Sequence, residues 1–175
     1  MVRSTKKKIG IFGGSFDPPH QGHLEISKTS IRKLSLDKLY WCVTKKNPLK
    51  KNTFFSLLKR IKESRLLTVK VKKIKIRYFE NKIKSNSTIN LIKYLNRVNK
   101  KAEFFLIIGS DNLINFHKWK NWKLLTSLTQ IVVFSRKDYD LKAKKSAIVK
   151  KVKNIIFIKN KYINISSTQI RKNLN

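Results

Sequence analysis

Cysteine occurs once in the 175 residues, at Cys42, so the chain cannot close a disulfide on itself. That usage suits a reducing compartment, and a cytoplasmic protein is expected. Histidine is nearly as scarce. With three His, one Cys and no carboxylate at ligand spacing, a zinc centre is not expected. Acidic residues number 9 against 42 Lys and Arg, a net charge of +33. No G-x-G-x-x-G run exists among the five glycines, which sets aside the dinucleotide-binding form of the Rossmann fold. No apolar run approaches the roughly 20 residues of a membrane span. The basic start, Met1 to Lys8, has the charge of a signal n-region, but the apolar run after it is short and ends at Gly13-Gly14, so no signal peptide is expected. Internal repeats and low-complexity linkers are also missing, which leaves one domain over residues 1–175.

What is present is enough for a core: 41% of the residues are hydrophobic. The charge of +33 has two readings. One is attraction to polyanions such as nucleic acid, membrane surfaces or nucleotides. The other is compositional, because the lysines are spread along the whole chain among Asn and Ile and no basic block stands apart. No specific nucleic-acid or membrane partner is expected.

One stretch organises the rest: Ile-Gly-Ile-Phe-Gly-Gly-Ser-Phe-Asp-Pro-Pro-His-Gln-Gly-His-Leu, from Ile9 to Leu24. Ile9 to Phe12 reads as a buried strand. Gly13 and Gly14 follow, then a turn with Asp17, Pro18 and Pro19. Leu24, Ile26, Ile31 and Leu34 then mark an amphipathic helix. Glycines let a backbone approach an anion, and a helix start offers unpaired N–H groups and a positive dipole end. His20 and His23, at i and i+3, share a side of that first turn, where both imidazoles can donate to one polyphosphate. Asp17 suits either a supporting role beside this site or an ordinary turn.

Along the chain, Leu39 to Val43 reads as a second strand, ending in a loop around Pro48. Ser56 to Leu67 reads as a helix with Leu57, Leu58, Ile61 and Leu66 inward. Val69 to Tyr78 alternates like a half-buried strand, and Ser85 to Thr88 caps a helix carrying Ile89, Ile92 and Leu95. Phe104 to Ile108 is a central strand ending in Gly109-Ser110-Asp111. Asn112 to Leu125 reads as one aromatic helix. Ile131 to Phe134 is a strand, Leu141 to Val152 a basic helix, Ile155 to Ile158 the last strand, and Ser166 opens the final helix. This alternation predicts a single α/β, Rossmann-like domain with a mostly parallel central sheet flanked by helices. Ile-Ser-Ser-Thr-Gln-Ile-Arg, from Ile165 to Arg171, is by itself a good N-cap, and its hydroxyls, amides and guanidinium equally suit a phosphate chain. Trp119 and Trp122 could form a packing seam or a stacking surface. Arg136, after a core strand, suits either a place near a nucleotide base or the surface. His117 is given no role.

Gly-Gly-Ser-Phe-Asp-Pro-Pro-His-Gln-Gly-His, paired with Ile-Ser-Ser-Thr-x-Ile-Arg, resembles the two signatures of the HxGH nucleotidyltransferases, and within them the nicotinate-nucleotide adenylyltransferases. The resemblance implies transfer of the adenylyl group of ATP to nicotinate mononucleotide, with release of pyrophosphate. It implies His20, His23 and Arg171 as catalytic residues. It puts ATP on Gly13, Gly14, Ser15, Phe16, His20, His23, Gly109, Asp111, Ser166, Ser167, Thr168 and Arg171. The nicotinate nucleotide would take Ser15, Lys50, Thr88, Trp119 (stacking on the pyridine ring) and Lys120. Mg²⁺ is implied as cofactor, held mainly by ATP phosphates rather than by protein ligands. The pattern departs at Ser87, where the family has Tyr before the Thr. Two other readings are a sister transferase, such as a pantetheine-phosphate adenylyltransferase or a cytidylyltransferase, and a non-catalytic basic nucleic-acid binder.

Overall fold

A computed structural model describes residues 6–45, 53–160 and 165–173. Strand β1 (Lys7–Gly14) leads into α1 (Gln21–Lys33), then β2 (Lys38–Val43), α2 (Leu57–Thr68) and β3 (Ile74–Arg77). Two helices follow, α3 (Glu80–Ile83) and α4 (Thr88–Val98), before β4 (Ala102–Gly109). Next come α5 (Ser110–Ile114), a 3-10 turn (Phe116–Lys118), α6 (Trp122–Leu128) and β5 (Gln130–Phe134). The chain closes with α7 (Asp140–Lys144), α8 (Ala147–Lys151), β6 (Ile155–Ile158) and α9 (Ser167–Lys172).

The strands form one sheet in the order β3-β2-β1-β4-β5-β6, and every pairing is parallel. A sheet covered on both faces needs apolar residues at successive positions, and β4 supplies them. Phe104, Leu106 and Ile108 point into one core with Ile89, Ile92 and Leu95 of α4 and Leu125 of α6. Phe105 and Ile107 point into the other, with Leu24 of α1, Trp41 and Val132. Register pairs Ile11 with both Tyr40 and Leu106, which puts β1 and β4 side by side at the centre. The strand order reverses between those two. An open parallel sheet has its crevice at such a reversal, beyond the carboxyl ends of the strands. Gly13 and Gly14 end β1 there, and Gly109 ends β4.

Four segments differ from the sequence reading. The strand expected over Val69 to Tyr78 is only Ile74–Arg77, because α2 runs to Thr68 and turns close at Val71 and Ile74. The helix expected over Asn112 to Leu125 is broken at Asn115 and again at Asn121, whose φ of 53° is left-handed and cannot continue a helix. The helix expected over Leu141 to Val152 is split at Ser146, and α3 was not anticipated. Helix α2 also turns a partly different face inward. Leu58 and Leu66 are 79% and 64% exposed, while Arg60, Ser64 and Thr68 are buried. The spacing was right for Leu57 and Ile61, which pack on the core, and wrong for Leu58 and Leu66, while Arg60 shares the inward side.

Candidate active site

At the end of β1 the chain turns through Ser15, Phe16 and Asp17 before α1 begins. His20 is the N-cap of α1 and His23 its third residue. The two form a reciprocal cap: His20 Nδ1 accepts from the Gly22 N–H and His23 Nδ1 accepts from the His20 N–H, each at 3.2 Å. An imidazole whose Nδ1 accepts carries its neutral-state proton on Nε2, so both rings hold an Nε2–H donor. The rings lie 3.9 Å apart, centroid to centroid. Burial, and secondarily the Arg136 guanidinium, lowers His20 from 6.5 to about 4, so it is neutral at pH 7. Gly22 has a local reason. A Cβ there would sit 3.0 Å from the His20 ring, so a side chain would push the ring off its cap.

Aromatic packing holds His23 from behind. Phe16 stacks on Trp41 at 4.6 Å and meets the His23 ring edge-on at 5.0 Å. Trp41 donates from Nε1 to Ser27 Oγ, which in turn donates to the His23 carbonyl. Phe16 is 2% exposed, so its side chain belongs to the core, and any contact it makes with a nucleotide runs through its backbone.

Helix α9 docks on the same turn. Ser167 Oγ donates to the Pro18 carbonyl at 2.9 Å, and Arg171 donates to the Asp17 carbonyl and to Thr168 Oγ1. Ser166 is the N-cap, its Oγ accepting from the Gln169 N–H at 3.2 Å. The capping reading of this segment therefore holds, and it places the first turns of α9 and α1 together. The Ile165 carbonyl lies 3.9 Å from where a Gly22 Cβ would stand. Asp17 is 4% exposed and accepts from the Phe54 and Phe55 N–H groups at 2.7 and 2.8 Å. At the end of β4, Asp111 pairs with Arg136 at 3.3 Å. A Cβ on Gly109 would collide with the ends of both side chains, so a larger residue would require this pair to shift.

On the other core's side of the reversal lies a cavity of about 450 Å³. Gly13 and Gly14 form its edge, α4 and the Trp119 segment its walls, and Thr88, Trp119 and Lys120 all line it. A Cβ on Gly13 would meet no protein atom within 4 Å. The space in front of that backbone belongs to the cavity. Trp119 is braced by Phe116 at 4.9 Å, and Trp119 and Trp122 both pack on the core, Trp119 alone of the two also lining the cavity. Among the described residues, three buried polar atoms of cavity residues have no hydrogen-bond partner: Thr44 Oγ1, Glu80 Oε1 and Ser87 Oγ. Burial raises Glu80, only partly offset by the Lys45 N–H and the Arg60 charge. Cys42 also lines the cavity, and burial pushes its thiol up to about 12. Lys50 lies outside the described residues.

The sequence-predicted residues thus fall into two adjoining groups. His20, His23, Ser166, Ser167, Thr168 and Arg171 gather around the Asp17-Pro18 turn. Thr88, Trp119 and Lys120 gather in the cavity, and Gly13 and Gly14 lie between. Asp111 joins Arg136 at the next strand end. Arg60 and Glu80 were missed. Nothing in a lone Arg on an amphipathic pattern, or a Glu in a basic loop, announces burial beside a site. Among the described residues no group of three or more His, Cys, Asp or Glu could hold a metal, and Asp17 and Asp111 are already committed to N–H groups and arginines. No described helix is long and apolar enough to cross a membrane.

A strand-order reversal beside helix N-termini is where open parallel sheets bind their ligands, and the cytidylyltransferase-like family model matches residues 11–173. A Pelagibacter ubique (strain HTCC1062) protein named a probable nicotinate-nucleotide adenylyltransferase is 47% identical over 98% of this chain and 96% of its own. A Rhizobium meliloti (strain 1021) protein of the same name is 37% identical over 73% of this chain and 68% of its own. The fold is shared with a Plasmodium falciparum nicotinic acid mononucleotide adenylyltransferase solved with APC: TM-score 0.77, 19% identity, 95% of this chain and 83% of that one. The same protein solved with NaAD gives a TM-score of 0.74 at 21% identity, with the same coverage. The chain belongs to the nicotinate-nucleotide adenylyltransferase family.

Proposed function

We propose that the chain performs the family reaction through the residues described above. A phosphate oxygen of nicotinate mononucleotide attacks the α-phosphorus of ATP. The bond from that phosphorus to the bridging oxygen breaks, pyrophosphate leaves, and deamido-NAD forms. The attacking phosphate is already ionised near neutral pH, so no general base and no protein nucleophile are needed. The work is alignment of two anions and neutralisation of charge that builds on the α-phosphate and the leaving group.

The observation that carries this reading is the division of the site at Gly13-Gly14. On one side stand the two imidazoles held by their own backbone as Nε2–H donors, with the α9 amides and Arg171 behind them for the leaving group. On the other is a cavity with Trp119 exposed to it for a flat ring and Lys120 beside it for a carboxylate. That lysine, with the first amides of α4 at Thr88, favours the acid over the amide form of the pyridine. Mg²⁺, held by ATP phosphates rather than by carboxylates of this chain, would offset part of the polyphosphate charge. A cytoplasmic location, where ATP is plentiful, fits this reading. Folded protein given Mg·ATP with nicotinate mononucleotide, nicotinamide mononucleotide or phosphopantetheine should release pyrophosphate fastest with the first, and mass spectrometry should find deamido-NAD. Faster turnover with phosphopantetheine would overturn the acceptor. No turnover with any acceptor, from protein that binds ATP, would overturn the reaction.

A further inference from the structure

Arg60 is the largest charged side chain in the interior, 1% exposed, and it lies in none of the groups above. All but one of its N–H donors are used, and all on main-chain carbonyls. Nε donates to Phe55 O at 3.1 Å, one terminal nitrogen to Ser15 O at 2.5 Å and Thr44 O at 2.8 Å, and the other to Lys45 O at 3.0 Å. Three segments distant in sequence are tied at this guanidinium: the turn after β1, the end of β2 and the lead into α2. Two carboxylates sit around it, Asp17 and Glu80, and each bonds to one of the same segments through a backbone N–H.

The tie falls next to a strained residue. Phe16 follows the Ser15 carbonyl and has a φ of 47°, a left-handed backbone that a bulky side chain adopts only when its surroundings force it. Phe16 in turn packs on the His23 ring at 5.0 Å. Two of the other three carbonyls held by Arg60 belong to Thr44, which lines the cavity, and to Lys45 next to it. One side chain therefore reaches both halves of the site without touching either set of donors.

We propose that Arg60 is a positioning residue for the reaction proposed above, on which this inference rests. Its guanidinium fixes the turn after β1 so that Phe16 holds His23 against the transferring phosphate, and it fixes Thr44 at the cavity edge. A planar, many-donor cation is required for this. Lysine has the charge, but its three donors on one nitrogen cannot reach four carbonyls arrayed around a plane.

The test compares wild type, Arg60→Lys and Arg60→Met in the full chain, after near-UV circular dichroism has established folding. Turnover should fall on the order of 10²-fold in Arg60→Met, with KM for ATP within about threefold, as expected of a displaced reacting geometry. Arg60→Lys should recover only part of it. A second readout does not depend on activity. The chain has three histidines, so long-range ¹H–¹⁵N spectra resolve each ring. In Arg60→Lys the His20 and His23 nitrogens should shift while those of His117 stay. Wild-type turnover in either folded variant, or unmoved His20 and His23 signals, overturns the proposal. Equal shifts at all three rings, or loss of folding in both variants, also overturns it, by making Arg60 a general brace of the fold. An inactive wild type whose His20 and His23 signals still respond would instead point at the reaction assigned above.

Discussion

The two halves of the site are built on opposite plans. Around the Asp17-Pro18 turn the polar groups are bonded to one another: His20 to Gly22, His23 to His20, Ser167 to Pro18, Arg171 to Asp17, Asp17 to Phe54 and Phe55. In the cavity, Thr44 Oγ1, Glu80 Oε1 and Ser87 Oγ are buried with no hydrogen bond. The first half is rigid before any ligand arrives, as stabilisation of a developing charge requires. The second holds polar atoms with no protein partner among the described residues, left for water or a ligand to satisfy. On the function proposed above, the contrast would separate what aligns the phosphates from what selects the acceptor.

The largest effect should come from removing a donor in the rigid half. His23→Ala should lower turnover on the order of 10²–10³-fold, roughly 3–4 kcal/mol, with the near-UV spectrum kept. Turnover close to wild type would contradict its role. Next is the brace beneath it. Asp17→Asn turns an acceptor-only group into one that presents an N–H to the N–H of Phe54 or Phe55, so urea titration should show a loss of about 1–3 kcal/mol. A change below about 0.5 kcal/mol would mean the turn holds without that carboxylate. The cavity should behave in the opposite way. Thr44→Val removes an unpaired hydroxyl at nearly constant shape, so the free protein should be as stable or slightly more so, while KM for the nicotinate nucleotide rises several-fold. Lower stability of the free variant would show that the hydroxyl is not idle before the ligand binds.

A further effect is pH-linked. His20 titrates near 6.5 when unfolded and about 4 when folded. Above 6.5 it is neutral in both states. Between the two values the unfolded chain takes up a proton that the folded site does not, so stability falls as pH is lowered through that window and levels off below it. His20→Gln should flatten this part of a plot of urea midpoint against pH. An unchanged slope would assign it to other groups.

The strands were legible because a sheet covered on both faces demands apolar runs, and Phe104 to Ile108 and Ile131 to Phe134 are such runs. The two ends of the site were legible because glycines, histidines and a Ser-Ser-Thr cap have few other uses in that order. Local pattern failed wherever distant partners set the outcome. Leu58 and Leu66 look inward-facing, yet Arg60 takes the inward side of α2 through carbonyls up to 45 residues away. Phe16 sits within a phosphate-loop motif, yet its ring completes the core under His23. Asp17 before Pro18 reads as an ordinary turn, and its real partners are 37 and 38 residues downstream.

The division of labour at Gly13-Gly14 is tested most directly by the kinetic constants of His23→Ala and Trp119→Ala, measured side by side with Mg·ATP and nicotinate mononucleotide. The account predicts that His23→Ala loses kcat with KM for the nicotinate nucleotide within a few-fold, and that Trp119→Ala raises that KM by about tenfold, the worth of one stacked ring, with kcat much less changed. If both variants moved the same constant to the same extent, the two halves would not be separable and the account would be wrong.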